Sequence, residues 1–276
     1  MFKVNDEICI GCGMCVKDCF ARDIELVEGK ALIKNVTCFK CGHCVAVCPV
    51  AAVSTDEYSM DDVVEYNKQK FTIEPDELLN FIKFERTIRQ FKENDVENEK
   101  LLKIIEAGRF TQTASNAQNV NYIVVKEQIQ EVRKITLEVL NSLGGYILEN
   151  STNPLYKRYA KMWIKMYSDF IADPLGVDNL FFKAPALIIV TSEHPLNAGL
   201  ASANMKLMVD ALGLGTVFSG FFTRACEGNS RIKDFLGIEE NQTVVTCMVI
   251  GYPNVKYSRT APRKAPNIIW KKKNIF

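Results

Sequence analysis

The sequence predicts an α+β chain in two parts, and three observations carry that expectation. Eight of the ten cysteines stand before residue 49, so cysteine usage alone divides the chain. Beyond them helix-period segments dominate, and the strand-like runs are few and well separated. Between the two regions, Asp56 to Glu77 is polar and charged with Pro75 near its end, which reads as a linker holding a short helix. The divisions are therefore 1–56, a linker over 57–78, and a larger body over 79–276.

The elements of the body follow from periodicity. Leu101, Ile104, Ile105 and Gly108 share one helical face behind the polar start Asn98-Glu99. Tyr122 to Val125 is a short β-branched strand, and Ile129 to Leu143 is again helical, closed by Gly144-Gly145. Tyr156, Tyr159, Trp163, Tyr167 and Phe170 then recur at helical steps, joined by Met162 and Met166. This stripe reads as core or dimer contact, with some side chains left for a pocket wall. Strands are expected at Leu187–Val190, Thr216–Ser219 and Val244–Ile250, and a long helix from about Asn197 to Leu212 precedes Gly213.

Composition narrows the function classes. The 276 residues are 47% hydrophobic and 24% charged with a formal net charge of +1, the profile of a globular chain with a sizeable core. Near-neutral charge argues against a nucleic-acid or membrane-surface partner, and Lys271-Lys272-Lys273 is the one basic run, read as a solvated tail. The start Met1 to Glu7 lacks the apolar stretch of a secretory leader. The longest apolar runs, Ala184 to Val190 and Val244 to Ile250, fall short of the ~18 residues that span a bilayer. The expectation is a cytoplasmic protein, and in that compartment dense cysteine favours metal over disulfide.

The cysteines form a duplicated run: Cys9, Cys12, Cys15, Cys19, then Cys38, Cys41, Cys44, Cys48, the last followed by Pro49. A tight loop at this spacing presents three thiolates to three corners of an iron–sulfur cube, and the fourth ligand comes from elsewhere. Gly11, Gly13 and Gly42 let the backbone bend closely around an inorganic core. Zinc sites pair cysteines two by two, which this spacing does not fit, and His43 is a bystander. Residues 1–56 resemble the bacterial two-cluster ferredoxins. The resemblance implies two 4Fe–4S clusters, the first on Cys9, Cys12, Cys15 and Cys48, the second on Cys38, Cys41, Cys44 and Cys19. Phe20 stands where a proline would follow the first run.

Four further segments, in order, resemble the nitroreductase-like flavoproteins. They are Arg86-Thr87-Ile88-Arg89-Gln90-Phe91; Thr113 to Asn119; Ala201 to Gly215 followed by Ser219-Gly220-Phe221; and Ile250-Gly251-Tyr252-Pro253 with Ala261 to Pro266. The resemblance covers about 79–276 and implies FMN bound in the cleft of a homodimer. In it Arg86 and Thr87 meet the flavin phosphate and Arg89 the pyrimidine edge, where a cation stabilises negative charge. Ser115, Asn116 and Gln118 belong to the loop at the polar edge of the ring, and Ser219 and Gly220 bring backbone N–H groups toward N5. Arg263 and Lys264 complete the phosphate site. Glu85 departs from the family's basic residue, and Asn119-Val120 replaces its Pro-Trp. Cys226 and Cys247 read as structural, though Arg224 could lower the Cys226 pKa.

Together these readings imply an oxidoreductase. A low-potential donor such as ferredoxin or a partner oxidoreductase would supply electrons through the clusters to FMN. From there they would reach a small organic acceptor: a nitroaromatic, a quinone or an activated alkene. No protein acid or base is required, so no catalytic side chain is assigned. Reductive dehalogenation, flavin reduction, or a non-catalytic redox relay or sensor are the alternatives left open by the residues.

Overall fold

The structure, a computed structural model, describes residues 1–271, and the chain divides into two compact units. Lys272 and Lys273 of the basic run, and the rest of the 79–276 region through Phe276, lie outside the described residues.

The first unit comprises Met1–Ile73 together with Gln112–Gln118. That last segment falls inside the body by the sequence division, yet it groups with the cysteine-rich unit. Strand β1 (Phe2–Val4) pairs antiparallel with β4 (Val53–Thr55), and β2 (Ile24–Val27) with β3 (Lys30–Ile33). Helices α1 (Met14–Asp18) and α2 (His43–Ala46) carry the duplication into three dimensions, because each opens after a left-handed glycine, Gly13 at φ 70° and Gly42 at φ 75°. The core is small, built on Phe2, Cys15, Ile24, Ala31, Ile33, Cys44 and Val53. After a 3-10 turn at Met60–Asp62 comes α3 (Lys68–Phe71), capped by Asn67, whose side chain accepts from the Gln69 and Lys70 N–H groups.

The second unit opens with α4 (Pro75–Phe84), Pro75 at its first position, and α5 (Asn98–Arg109). Then follow β5 (Val120–Val125), the paired helices α6 (Ile129–Asn150) and α7 (Pro154–Ala172), and β6 (Ala186–Ser192). The chain continues through α8 (Pro195–Ala211), β7 (Gly215–Phe218), α9 (Gly220–Cys226), α10 (Arg231–Leu236) and β8 (Thr243–Gly251). The sheet has the order β5-β6-β8-β7, with every pair antiparallel.

Helices cover both faces of that sheet, which explains why β6 is apolar without alternation over 186–190: all of its residues are buried, Thr191 and Ser192 included. Leu187 and Ile189 join the core made with α6, α7 and α9. Ile188 and Val190 point the other way, into the core made with α5 and α8.

One boundary differs for a physical reason. Helix α6 does not close at Gly144-Gly145 but runs on to Asn150. A Cβ on Gly144 would stand 3.0 Å from the Ala160 carbonyl oxygen and 3.0 Å from Ile164 Cγ1. The glycine serves close packing of α6 on α7, a use that looks the same in sequence as a C-terminal stop.

Candidate functional site: two cysteine cradles and a cationic cleft

In the first unit, one small pocket is lined by Cys9, Cys12, Cys15 and Cys48. Three come from the first run and the fourth from the second, the set that the ferredoxin resemblance implies. Gly11 makes the approach possible: it sits at φ +66°, and a Cβ there would fall 2.0 Å from the Gly29 carbonyl oxygen. Backbone N–H groups of Ala31 and Gly11 hold the Cys9 thiol below its ordinary pKa.

The second cradle is arranged around Cys44, whose burial pushes its thiol up to about 11, with Cys38 and Cys41 close enough to add to the rise. Main-chain donors reach the sulfurs: Lys40 N to Cys38 Sγ at 3.4 Å, Asp23 N to Cys19 Sγ at 3.4 Å, and Ala52 N to Cys48 Sγ at 3.2 Å. N–H groups aimed at thiolates are what an iron–sulfur cluster uses to set its potential. Among the described residues no group of three His, Cys, Asp or Glu could hold a single ion. His43 is turned to Asp18, 3.0 Å away, rather than offered as a ligand.

Asp23 ties this cradle together. Its Oδ1 accepts from Val36 N at 3.1 Å, Thr37 N at 2.9 Å and Thr37 Oγ1 at 3.2 Å, fixing the approach to Cys38. Burial opposes its charge, but these donors outweigh it and the carboxyl sits below its ordinary value.

In the second unit, the Arg86–Phe91 segment is laid down by backbone bonds. Thr87 bridges Thr216 in parallel and Phe91 bridges Pro253 antiparallel, with Ile88 N donating to Thr216 O at 3.0 Å and Lys92 N to Tyr252 O at 2.8 Å. The anchoring brings Arg89 to a cleft of about 550 Å³, which Ser219, Gly220 and Phe221 also line. Of the sequence-assigned flavin residues, then, Arg89, Ser219 and Gly220 share one cavity. Thr87 is exposed in the anchored strip. Arg86 donates through Nη1 to the carbonyls of Lys83 and Glu85, while its Nη2 is buried with no partner. An orphaned guanidinium donor suits an anionic group such as a phosphate. The departing Glu85 is met by Lys206 at 3.1 Å, and Lys206 also holds Asp210 at 2.6 Å.

The remaining assignments fall elsewhere. Asn116 and Gln118 lie in the first unit, where Asn116 Nδ2 donates to the Phe39 and Lys40 carbonyls and Gln118 Nε2 to the Tyr58 hydroxyl. Ser115 is exposed beside them at φ 51°. Arg263 and Lys264 are exposed outside any helix or strand. Cys226, expected to feel Arg224, is instead pushed up to about 12 by burial, and Arg224 pairs with Glu227.

Sequence reasoning left some side chains of the aromatic stripe on α7 for a pocket wall but did not name Lys165, Asp169 or the segment at 179–182 as part of that wall. Lys165 and Asp169, an i,i+4 pair 2.8 Å apart on α7, line it beside Met162 and Met166, as do Asn179, Leu180 and Phe182. On the α7 stripe Trp163 and Phe170 are core, and both Trp163 and the more exposed Tyr159 pack edge-on against Phe221, with ring centroids 5.6 and 5.8 Å apart. The methionines in that stripe were the available signal. The segment at 179–182 gave none, because its place depends on the buried ion pair of Arg133 and Asp178.

A duplicated cysteine cradle and a cationic cleft on an antiparallel α+β sheet mark a ferredoxin-type iron–sulfur domain joined to an oxidoreductase body. The chain belongs to the nitroreductase family, whose sequence profile matches residues 82–252, and residues 1–49 match that of the 4Fe-4S dicluster domain. An NADPH-dependent oxidoreductase of Staphylococcus haemolyticus is 25% identical over 180 residues, 64% of this chain and 65% of that protein. The chain therefore spans about two thirds of that relative's length. A ferredoxin of Pyrobaculum islandicum is 44% identical over 52 residues, 18% of this chain and 49% of that one. Among solved structures, a nitroreductase with bound FMN from Bacteroides fragilis shares the fold at a TM-score of 0.51 and 20% identity, over 70% of this chain and 98% of that chain. No helix among the described residues is long and apolar enough to cross a membrane.

Proposed function

We propose that the protein is an iron–sulfur flavoprotein oxidoreductase: electrons from a low-potential donor pass through two 4Fe–4S clusters to FMN and on to a small organic acceptor. The observation that carries this reading is the cleft of about 550 Å³ that gathers Arg89, Ser219 and Gly220, in a chain that also holds the cysteine cradles. When bound, FMN supplies two-electron chemistry by itself, so the side chains have binding and shaping to do. Arg89 places positive charge in the cleft, and the orphaned Arg86 Nη2 offers a donor to a phosphate. Met162, Met166, Phe182, Phe218 and Phe221 give the cleft an apolar lining suited to a flat unsaturated acceptor such as a nitroaromatic, quinone or activated alkene. The eight cysteines at 9, 12, 15, 48 and 19, 38, 41, 44 hold the clusters.

The working form is a cytoplasmic homodimer. Helix α4 buries none of its residues, and Leu78, Leu79, Phe81, Ile82 and Phe84 offer an apolar surface that supports self-association. The donor is a ferredoxin or a partner oxidoreductase.

Anaerobic purification with iron, acid-labile sulfide and FMN counted per chain tests the reading. About eight irons, eight sulfides and one FMN are expected. Iron without flavin would leave the electron-carrier domain standing and remove the flavoprotein assignment. Reoxidation of the reduced protein by a panel of acceptors then separates an enzyme from a relay.

A further inference from the structure

We propose that Asn116 is a positioning residue for the second cluster, acting through one peptide group on the sulfur of Cys38. The inference rests on the reading of the chain as a two-cluster protein. Asn116 Nδ2 donates to Phe39 O at 3.1 Å and to Lys40 O at 2.9 Å. Phe39 and Lys40 are the two residues between Cys38 and Cys41.

The Phe39 carbonyl belongs to the same peptide unit as the Lys40 N–H, and that N–H points at Cys38 Sγ, 3.4 Å away. An unbroken series therefore runs from the Asn116 amide, through one peptide plane, to the sulfur. Hydrogen bonds in series polarise one another, so a donor on the carbonyl strengthens the N–H at the other end. The same bonds lock the plane against rotation.

The locking is needed here. Lys40 stands at φ 53°, a left-handed conformation that a residue with a Cβ adopts when its surroundings hold it there. Its ammonium pairs with Glu57 at 2.8 Å, and Gln118 Nε2 donates to the hydroxyl of the next residue, Tyr58, at 2.8 Å, so the Cys38 loop and the Asn116 loop are each tied to the segment at 57–58. Asn116 itself, at φ 53°, follows Ser115 in the left-handed region, and Gln118 two residues on returns to it. Strain gathered at one place marks a geometry that is held for a purpose.

An N–H aimed at a thiolate withdraws electron density from it and raises the cluster's reduction potential. The bonds of Asn116 hold the second cluster's potential above the value it would have without them.

The test uses the full-length protein, purified without oxygen, in a potentiometric titration followed by electron paramagnetic resonance. Asn116→Asp replaces the donor with an acceptor of the same shape, and Asn116→Gly deletes the side chain; both residues tolerate the left-handed backbone. In each variant one of the two cluster midpoints should fall. The reduced-to-oxidised ratio at fixed ambient potential should drop about threefold, equal to about 28 mV for a one-electron couple. The other midpoint and the iron content should be unchanged in both variants, and Asn116→Asp, which keeps the side-chain acceptor, should retain its FMN. The signal that moves should be the one altered by Cys41→Ser.

Two midpoints at their wild-type values, or both shifted together, would overturn the proposal. FMN lost with both midpoints intact would overturn it as well and assign Asn116 to the flavin. A wild-type chain without two clusters would instead remove the functional reading itself.

Discussion

Asp178→Asn tests what fixes the far wall of the cleft. Asp178 and Arg133 form an ion pair, Nε to Oδ1 at 3.2 Å, with side chains only 1% and 3% exposed. Asp178 Oδ1 also accepts from Leu180 N at 2.9 Å and Phe181 N at 3.0 Å, and Oδ2 from Lys183 N at 3.2 Å. From the other side Arg133 donates to Pro174 O at 2.9 Å and Val177 O at 2.8 Å, its guanidinium over the Phe170 ring. One pair thus holds the backbone on both sides of Asn179, Leu180 and Phe182, all of which line the cleft.

Asparagine keeps an acceptor for two of the N–H groups but leaves the arginine charge buried and unopposed. Breaking a buried pair from one side costs about 3–5 kcal/mol. The surviving neutral bonds put Asp178→Asn near the lower end, about 3 kcal/mol, within the ~5–15 kcal/mol that holds a typical protein folded. Arg133→Met should cost a similar amount, because it strips donors from two carbonyls. The double variant should be less destabilised than the sum by about 1–3 kcal/mol, since removing both charges leaves neither exposed to an apolar interior. Urea unfolding followed by circular dichroism measures the stabilities, and FMN retention at low urea measures the wall. Additive costs, or an Asp178→Asn variant within about 1 kcal/mol of wild type, would refute the reasoning.

Three more outcomes follow from the same structure. Burial raises the Asp210 carboxyl from 3.8, partly offset by Lys206. The folded state therefore binds that proton more tightly than the unfolded chain, and stability falls as pH rises from 3.8 to the raised value, then levels. Asp210→Asn should flatten that segment of a urea-midpoint profile, and parallel profiles would contradict the assignment. Gly144→Ala should cost about 1–3 kcal/mol by overpacking α6 on α7, whereas Gly145→Ala, where a Cβ meets nothing within 4 Å, should gain up to about 1 kcal/mol. Thermal melts that rank the two the other way would show that the contact yields. Cys226, pushed up to about 12, and the fully buried Cys247 should resist alkylation at neutral pH until the protein unfolds, as mass spectrometry of labelled peptides can check.

Legibility in the sequence followed the range of the interactions involved. The duplicated cysteine runs were readable from their spacing, whereas the grouping of Cys48 with Cys9, Cys12 and Cys15, which line one pocket, came only from the ferredoxin resemblance. The strands β6 and β8 were readable because a strand covered on both faces carries a continuous apolar run, here at 186–190 and 247–250. Gly144 was misread because a glycine freed from its Cβ for packing carries the same letter as one that stops a helix. The wall at 179–182 was invisible: Asp178 and Arg133 are 45 residues apart, and two charges look solvated until burial pairs them. Glu85 looked like a lost phosphate ligand, and only the fold reveals Lys206 waiting for it.

The loop carrying Asn116 is where sequence resemblance and geometry make different demands on one side chain, and valence decides how both can hold. An asparagine amide has two N–H donors and one carbonyl acceptor. Both donors are directed at the Phe39 and Lys40 carbonyls. What remains for any ligand is Oδ1, which can only accept, so a flavin could meet Asn116 only through an N–H of its own. Asn116→Asp keeps an acceptor and abolishes both donors, while Asn116→Gly abolishes all three. If the residue serves both cofactors, the aspartate variant should lose the second cluster's potential and keep FMN, and the glycine variant should weaken both. A side chain used by the flavin alone would leave the aspartate variant's cluster potentials where they were.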